Sequence, residues 1–402
     1  MLELEEALAR ILAAVPEPET ETIPLQAAHW RIAAERMLSP IDLPIFDNSA
    51  MDGYAVRSAD TRAASADSPA RLRLTGRAAA GESFAGELTA GYCVRVFTGS
   101  PLPRGADAVV MQEDTRVESE KSDQILVVEP AKPWENVRFR GEDVKQGSLL
   151  VHQGDLLTAG RMSLLGATGI SQIRAGRRPV IGLLATGSEL REPGQPLAPG
   201  QIYESNRIGL SALLRMAGAV PRVFPICADN SDAVRGALQR ALTECDAVVT
   251  SGGVSVGEMD FIKSAFESAG GDLQFWRVAI KPGRPFVLGR YREKFLFGLP
   301  GNPVSALVTF LLLVRPALLR WQGAADVSPL SHPGVLEETL ANPGARRHFM
   351  RVKVDLEGKV CSAGIQASHI LGSLAEANGL VDVPPKTSLS TGTTVRVLRW
   401  RD

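Results

Sequence analysis

The stretch DAVVTSGGVSVGEMD, Asp246 to Asp260, sets a short apolar run against a loop carrying three glycines, two serines and, at its end, two acids. Phe261-Ile-Lys-Ser-Ala-Phe then follows with helical spacing of its apolar residues. A buried strand, a glycine-rich loop and a helix in succession make one repeat of a parallel α/β sheet. The same rhythm extends on both sides. Pro179-Val-Ile-Gly-Leu-Leu reads as a strand, residues 205–217 as a helix with Ile208, Leu213, Leu214 and Met216 apolar, and 222–227 as a second strand. A helix capped by Ser231 turns Val234, Leu238, Ala241 and Leu242 inward. Strands at 273–280, around Phe286-Val-Leu and at Phe295-Leu-Phe follow, and Asn302-Pro303 starts the last helix, an N-cap residue before proline at the first helical position. Residues 178–321 are therefore a doubly wound α/β domain.

Outside it the pattern is β. Between 42 and 150 the apolar runs are short and broken by glycine and proline, as in Arg71-Leu-Arg-Leu-Thr, Tyr92-Cys-Val-Arg-Val-Phe, Ala108-Val-Val-Met and Gln124-Ile-Leu-Val-Val. After Trp321, His348-Phe-Met-Arg-Val-Lys-Val alternates, Leu356-Glu-Gly-Lys reads as a hairpin turn, and Thr394-Val-Arg-Val-Leu closes a small β domain. The N-terminus, with Leu4, Leu8, Ile11, Leu12 and Val15 at helical spacing and three acids in its first six residues, reads as an amphipathic helix and not a signal peptide.

With 402 residues the chain exceeds one ordinary core and calls for several domains. Its 44 Lys and Arg balance 45 Asp and Glu, so no overall field marks it as a nucleic-acid binder, and an anionic partner needs a local site. The longest apolar run, 306–314, is half a membrane span, and the expectation is a soluble protein. Cys93, Cys227, Cys245 and Cys361 make no CxxC, and the five histidines show no zinc spacing, which fits a reducing cytoplasm. P-loop and GxGxxG signatures are absent.

In open α/β sheets ligands bind beyond the carboxyl ends of the strands. Here those loops contain Thr186-Gly-Ser-Glu189, Asp229, Ser251 to Asp260, Lys281-Pro-Gly-Arg284-Pro285 and Leu299-Pro-Gly-Asn-Pro303. Glycines allow close backbone approach, Glu189, Asp229 and Asp260 come from three strands as ligands of a hard cation do, and Lys281 and Arg284 flank a stiff turn suited to an oxyanion. Any one acid alone reads equally well as a helix cap, Asp260 above all, and the two cations as a solvated turn. Taken by their residues only, the polar turns around Asp52 and Asp143 read as solvated loops.

In combination, DNSAMDGYAV (47–56), RGED (140–143), TGSEL (186–190), SGGVSVGEMD (251–260), KPGRP (281–285) and GLPGNPVS (298–305) resemble the MoeA and gephyrin E-domain family, the molybdopterin molybdenumtransferases. The resemblance covers essentially the whole chain. It implies a molybdenum insertase that takes adenylylated molybdopterin and molybdate with a divalent cation, usually magnesium, and releases AMP. It also implies a homodimer, transient contact with the molybdopterin adenylyltransferase and molybdoenzyme chaperones, and no nucleic acid or membrane. The domains it implies are 1–26 with 145–176, a discontinuous unit; 27–144, β-rich; 177–326, α/β; and 327–402, a β-barrel-like unit.

By the same resemblance Asp52, Asp143, Glu189, Asp229 and Asp260 are activity-associated carboxylates, the last three also metal ligands. Ser251, Gly252, Gly253, Ser255, Gly257, Pro300, Gly301, Asn302 and Pro303 approach the pterin substrate, while Lys281, Arg284, Pro285, Ser305, Arg351 and Ser368 hold molybdate. Two positions depart from the family pattern: Ser188 stands where an acid is usual, and Arg284 where lysine is. The alternatives are an adenylyltransferase, since the α/β domain alone resembles that enzyme, and a gephyrin-like scaffold.

Overall fold

The computed structural model describes residues 1–79, 81–117, 123–252 and 261–400. At its centre a six-stranded sheet runs in the order Val220–Val223, Val180–Ala185, Ala247–Ser251, Lys294–Leu299, Pro285–Tyr291, Asp272–Arg277. The first four strands are parallel, and Pro285–Tyr291 runs antiparallel to both of its neighbours. Side chains alternate across the sheet as the strand period of two requires. Ile181, Leu183, Ala247, Val249, Phe295 and Phe297 join the core on one face, with Leu210, Leu213 and Leu214 of helix Asn206–Met216. Leu184, Val248 and Leu296 face the other, against helices Ser231–Glu244 and Phe261–Ser268. Both faces are covered, so these strands read as continuous apolar runs.

The long apolar helix 303–321 lies in the first of these cores, with most of its residues buried. Phe310–Val314 is a π-helical turn followed by Arg315–Trp321. Pro316 has no N–H and its ring would press on the carbonyl four residues back, so a widened turn lets the helix continue past it. The N-terminal helix Leu4–Ala14 buries Leu4, Ala7 and Ile11 in the same core, and Leu2 exchanges backbone hydrogen bonds with Arg277 and Ala279. The apolar stripe of this helix thus lies on the α/β domain. Beyond it, strand Thr20–Pro24 pairs with Gln172–Gly176, so residues 1–26 contact both units.

Three readings shift in detail. The strand expected at 222–227 is Val220–Val223, because Pro225 cannot donate to a ladder, and Cys227 rejoins through a single bridge to Thr186. Asn230, not Ser231, caps its helix, its side chain accepting from Ala233 N at 2.9 Å. The strand expected over 273–280 splits: Asp272–Arg277 stays in the α/β sheet, while Ile280–Lys281 pairs in parallel with Arg347–His348.

That pairing joins the α/β domain to a closed ring of five strands, Arg347–Val354, Lys359–Ser362, Leu330–Leu336, Thr394–Arg399 and Gly379–Val383, the last returning to the first. Met350, Val352, Val360, Val381 and Val397 fill it. The β-rich region before residue 130 holds a second six-stranded sheet, including Gly53–Val56, Ala70–Ala78, Tyr92–Val96 and Ala108–Met111.

Candidate active site

Register places the strand-end loops side by side. Ala185 pairs with Ser251, and Ser251 with Leu299, so the loops after these three strands share one edge. Gly252 N donates to Leu299 O at 3.1 Å. Asn206, buried at the start of its helix, donates Nδ2 to Ser251 Oγ at 2.6 Å and to Gly301 O at 2.7 Å, locking two of the glycine loops together. Its Oδ1 is buried without a partner among the described residues. Beside them, Ser188 N donates to Asp229 Oδ2 at 3.2 Å. The departure at Ser188 therefore keeps a role for its backbone, which ties the Glu189 loop to Asp229. Both carboxylates are exposed. Gly253, Ser255, Gly257 and Asp260 lie outside the described residues, and among the described residues no group of three or more potential metal ligands is gathered.

The loop 299–305 continues this edge into a cationic region. Asn302 stands at the N-cap before Pro303 as expected, but its side chain makes no capping bond; its Nδ2 reaches Ser368 Oγ at 3.2 Å, and Val304 N donates to Ser368 O at 3.1 Å. Pro300 is buried and Gly301 exposed beside it. Pro303 opens the helix, and Ser305 is buried one turn in. The Lys281-to-Pro285 turn packs on this helix: a Cβ on Gly283, whose φ is +97°, would stand 2.2 Å from Thr309 Oγ1. Gly283→Ala is accordingly expected to expel the turn, at least about 1–2 kcal/mol coming from the left-handed backbone alone. A melting temperature equal to that of the wild type would contradict this packing.

Lys281 and Arg284 are exposed, and Pro285 begins the strand opposite Arg277. Arg351 is fully buried. Its Nε donates to Ser373 Oγ at 3.0 Å and its Nη2 to Ile365 O at 2.6 Å and Ala367 O at 3.2 Å, which fixes the loop that presents Ser368. Nη1 of Arg351, Nε2 of His348 and Oγ1 of Thr309 are buried without partners among the described residues. Burial and the charges of Lys281, Arg351 and Arg346 press His348 down to about 4, so it is neutral at neutral pH. No described carboxylate pairs with Lys281, Arg284 or Arg351. This is an electropositive, acid-free corner with spare donors, the chemistry that suits an oxyanion.

The other two expected carboxylates form a separate pair of loops. Strand Asn48–Ser49 pairs with Val137–Arg138, and Arg140 N donates to Asp47 Oδ1 at 2.7 Å, which brings the Asp52 turn beside the Asp143 turn. Asp52 Oδ1 accepts from Thr98 N at 2.7 Å and Thr98 Oγ1 at 3.0 Å; these bonds first, and Arg95 after them, hold its carboxyl below the usual range. Gly53 is fixed sterically, since a Cβ there would meet Val110 O at 1.9 Å. Asp143 is exposed, its N–H bonded to Leu43 O. No hydrogen bond or ion pair among the described residues links these loops to the strand-end edge.

Sequence reasoning passed over Asn206, Thr309, Arg346 and His348. Asn206 stands in an ordinary helix start, and His348 and Arg346 sit at the head of an alternating strand; only the partner each meets gives it meaning.

Comparison with known proteins agrees with this fold. Family models match residues 2–169 (MoeA N-terminal region, domain I and II), 182–320 (probable molybdopterin binding domain) and 333–400 (MoeA C-terminal region, domain IV). The chain is 38% identical to the molybdopterin molybdenumtransferase of Haemophilus influenzae, covering 99% of this chain and 98% of that one. It is 34% identical to the Bacillus subtilis protein of the same name, covering 99% and 94%. A crystal structure of a molybdopterin biosynthesis MoeA protein from Pyrococcus horikoshii superposes with a TM-score of 0.83 at 31% identity, covering 99% of this chain and 100% of that one. With all three regions matched in order and relatives aligned end to end, the chain belongs to the MoeA family, the molybdopterin molybdenumtransferases of molybdenum cofactor biosynthesis.

Proposed function

We propose that this transferase takes adenylylated molybdopterin and molybdate, inserts molybdenum into the pterin dithiolene and releases AMP. One observation carries the reading: the loop 299–305 is bonded on one side to the glycine loops through Asn206 and on the other to Ser368, beside the Lys281 turn. A phosphate at the glycine edge and an oxyanion at the cationic corner would therefore share one rim.

With no side chain at Gly252 or Gly301, the phosphate can come close to the backbone of both loops, while Lys281, Arg284, Ser305, Arg351 and Ser368 would orient molybdate. Holding both reactants replaces an encounter in solution by a positioned reaction. The donor set fits a hard cation such as magnesium, which takes one or two carboxylates and completes its shell with phosphate oxygen and water. Glu189 and Asp229 would hold it, with Asp260 as a third ligand, and it would supply charge neutralisation at the cleaved phosphate. Asp52 and Asp143 are proposed to serve the same reaction. The same reading expects a cytoplasmic homodimer, with a solution mass twice the 43.0 kDa of the chain, and transient contact with the adenylyltransferase and with molybdoenzyme chaperones.

The test is AMP release from adenylylated molybdopterin with a divalent cation, with and without molybdate. Molybdate is expected to accelerate release and to yield molybdenum-bearing pterin, and Asp229→Asn to slow it about a hundredfold. Release indifferent to molybdate, with no metal in the pterin, overturns the reading. Adenylylation of free molybdopterin from ATP would favour the adenylyltransferase instead.

A further inference from the structure

Arg346 lies outside every residue set derived from the sequence motifs, yet it converges on the cationic corner. Its Nη1 donates to Ile280 O at 2.8 Å, the carbonyl immediately before Lys281. One residue further, Arg347–His348 pairs with Ile280–Lys281, so Arg346 closes the same two-strand junction from its end. Burial first, and the charge of Arg284 after it, lower the basicity of Arg346, which puts the two guanidinium groups within each other's field. Its neighbour Arg347 is neutralised by Asp382 and Glu5, whereas no described carboxylate pairs with Arg346. Four cations, Lys281, Arg284, Arg346 and Arg351, thus meet from two domains without a counter-charge among the described residues.

Like charges held together this way repel one another and are tolerated where an anion comes to sit among them. We propose that Arg346 is a positioning residue of the oxyanion subsite: it fastens the Lys281 turn to the C-terminal barrel through the Ile280 carbonyl, and its charge strengthens the hold on molybdate. This rests on the oxyanion reading above and adds a residue to it.

Two variants separate the charge from the tether. Arg346→Gln keeps an amide donor for Ile280 O and removes the charge; Arg346→Lys keeps the charge. In molybdate-dependent AMP release, Arg346→Gln is expected to raise the KM for molybdate about tenfold while kcat at saturation stays within about twofold, and Arg346→Lys to recover most of the loss. Equilibrium dialysis of molybdate against the whole protein is expected to give the same ranking, with the wild-type advantage shrinking as salt is added. Should Arg346→Gln unfold, the Lys variant decides alone: KM within about threefold of wild type with kcat unchanged supports a charge role, and a fall in kcat with KM unmoved, or a KM raised as far as in Lys281→Ala, overturns it. Lys281→Ala is the reference. If it leaves molybdate dependence unchanged, the oxyanion reading itself fails; if it raises KM and Arg346→Gln does not, only the inference about Arg346 fails.

Discussion

Arg207→Met is expected to destabilise the protein by about 3–5 kcal/mol, among the largest effects of any single substitution outside the sheet core. Arg207 and Glu204 are both buried, at 4% and 3% exposure. The guanidinium Nε donates to Glu204 Oε2 at 2.9 Å, Nη2 to Glu192 Oε1 at 2.8 Å and Nη1 to Phe224 O. Glu204 also accepts from Arg207 N at 2.9 Å, so removing the cation strands a buried carboxylate at the first turn of helix Asn206–Met216. Replacing both partners, Arg207→Met with Glu204→Leu, leaves no charge to desolvate and is expected to recover most of the loss. Urea denaturation of the two variants checks this; a double variant as unstable as the single one would show that Glu204 is not what suffers. Asn206 rides on the same turn, so the single variant is also expected to loosen the Ser251–Gly301 link.

The second large effect is a dependence on pH. His348 protonates near 6.5 when unfolded and at about 4 in the native protein, burial being the chief cause and Lys281, Arg351 and Arg346 adding to it. Below pH 6.5 the unfolded chain takes up a proton that the native chain refuses. Stability contributed by the neutral ring is therefore complete above pH 6.5 and falls away as pH drops towards 4, by about 3 kcal/mol in all. His348→Leu is expected to flatten the stability profile across that window and to leave it unchanged above pH 7. Parallel wild-type and variant profiles between pH 6.5 and 4 would refute the assignment.

What was legible in the sequence follows from periodicity. The α/β strands and helices announce themselves because both faces of the sheet are covered and each helix keeps one apolar stripe, as Val234, Leu238, Ala241 and Leu242 do. Boundaries moved where proline or a cap intervened, at Pro225 and Asn230, since local chemistry there overrides hydrophobic pattern. The glycine loops and the Lys281 turn were legible as loops at strand ends. Their mutual bonding was not, because Asn206 to Gly301 and Asn302 to Ser368 span 95 and 66 residues. By their residues alone the Asp52 and Asp143 turns read as solvated loops, and both carboxylates are exposed; the pairing of Asn48–Ser49 with Val137–Arg138 that brings them together is a long-range fact that no local window contains. Arg346 was invisible for the same reason, since the carbonyl it meets is 66 residues away.

The parallel junction of Ile280–Lys281 with Arg347–His348 carries a thermodynamic consequence. Lys281 belongs to one domain and Arg351 to the next, so an anion engaging both is a cross-link between them, and its free energy of binding adds to that of docking. At a concentration a hundredfold above its Kd, such a ligand would deepen the docked state by about 2.7 kcal/mol. Amide hydrogen exchange along the two strands would slow by roughly a hundredfold if their opening requires the anion to leave. The corner would then report its own occupancy through the rigidity of the joint that forms it.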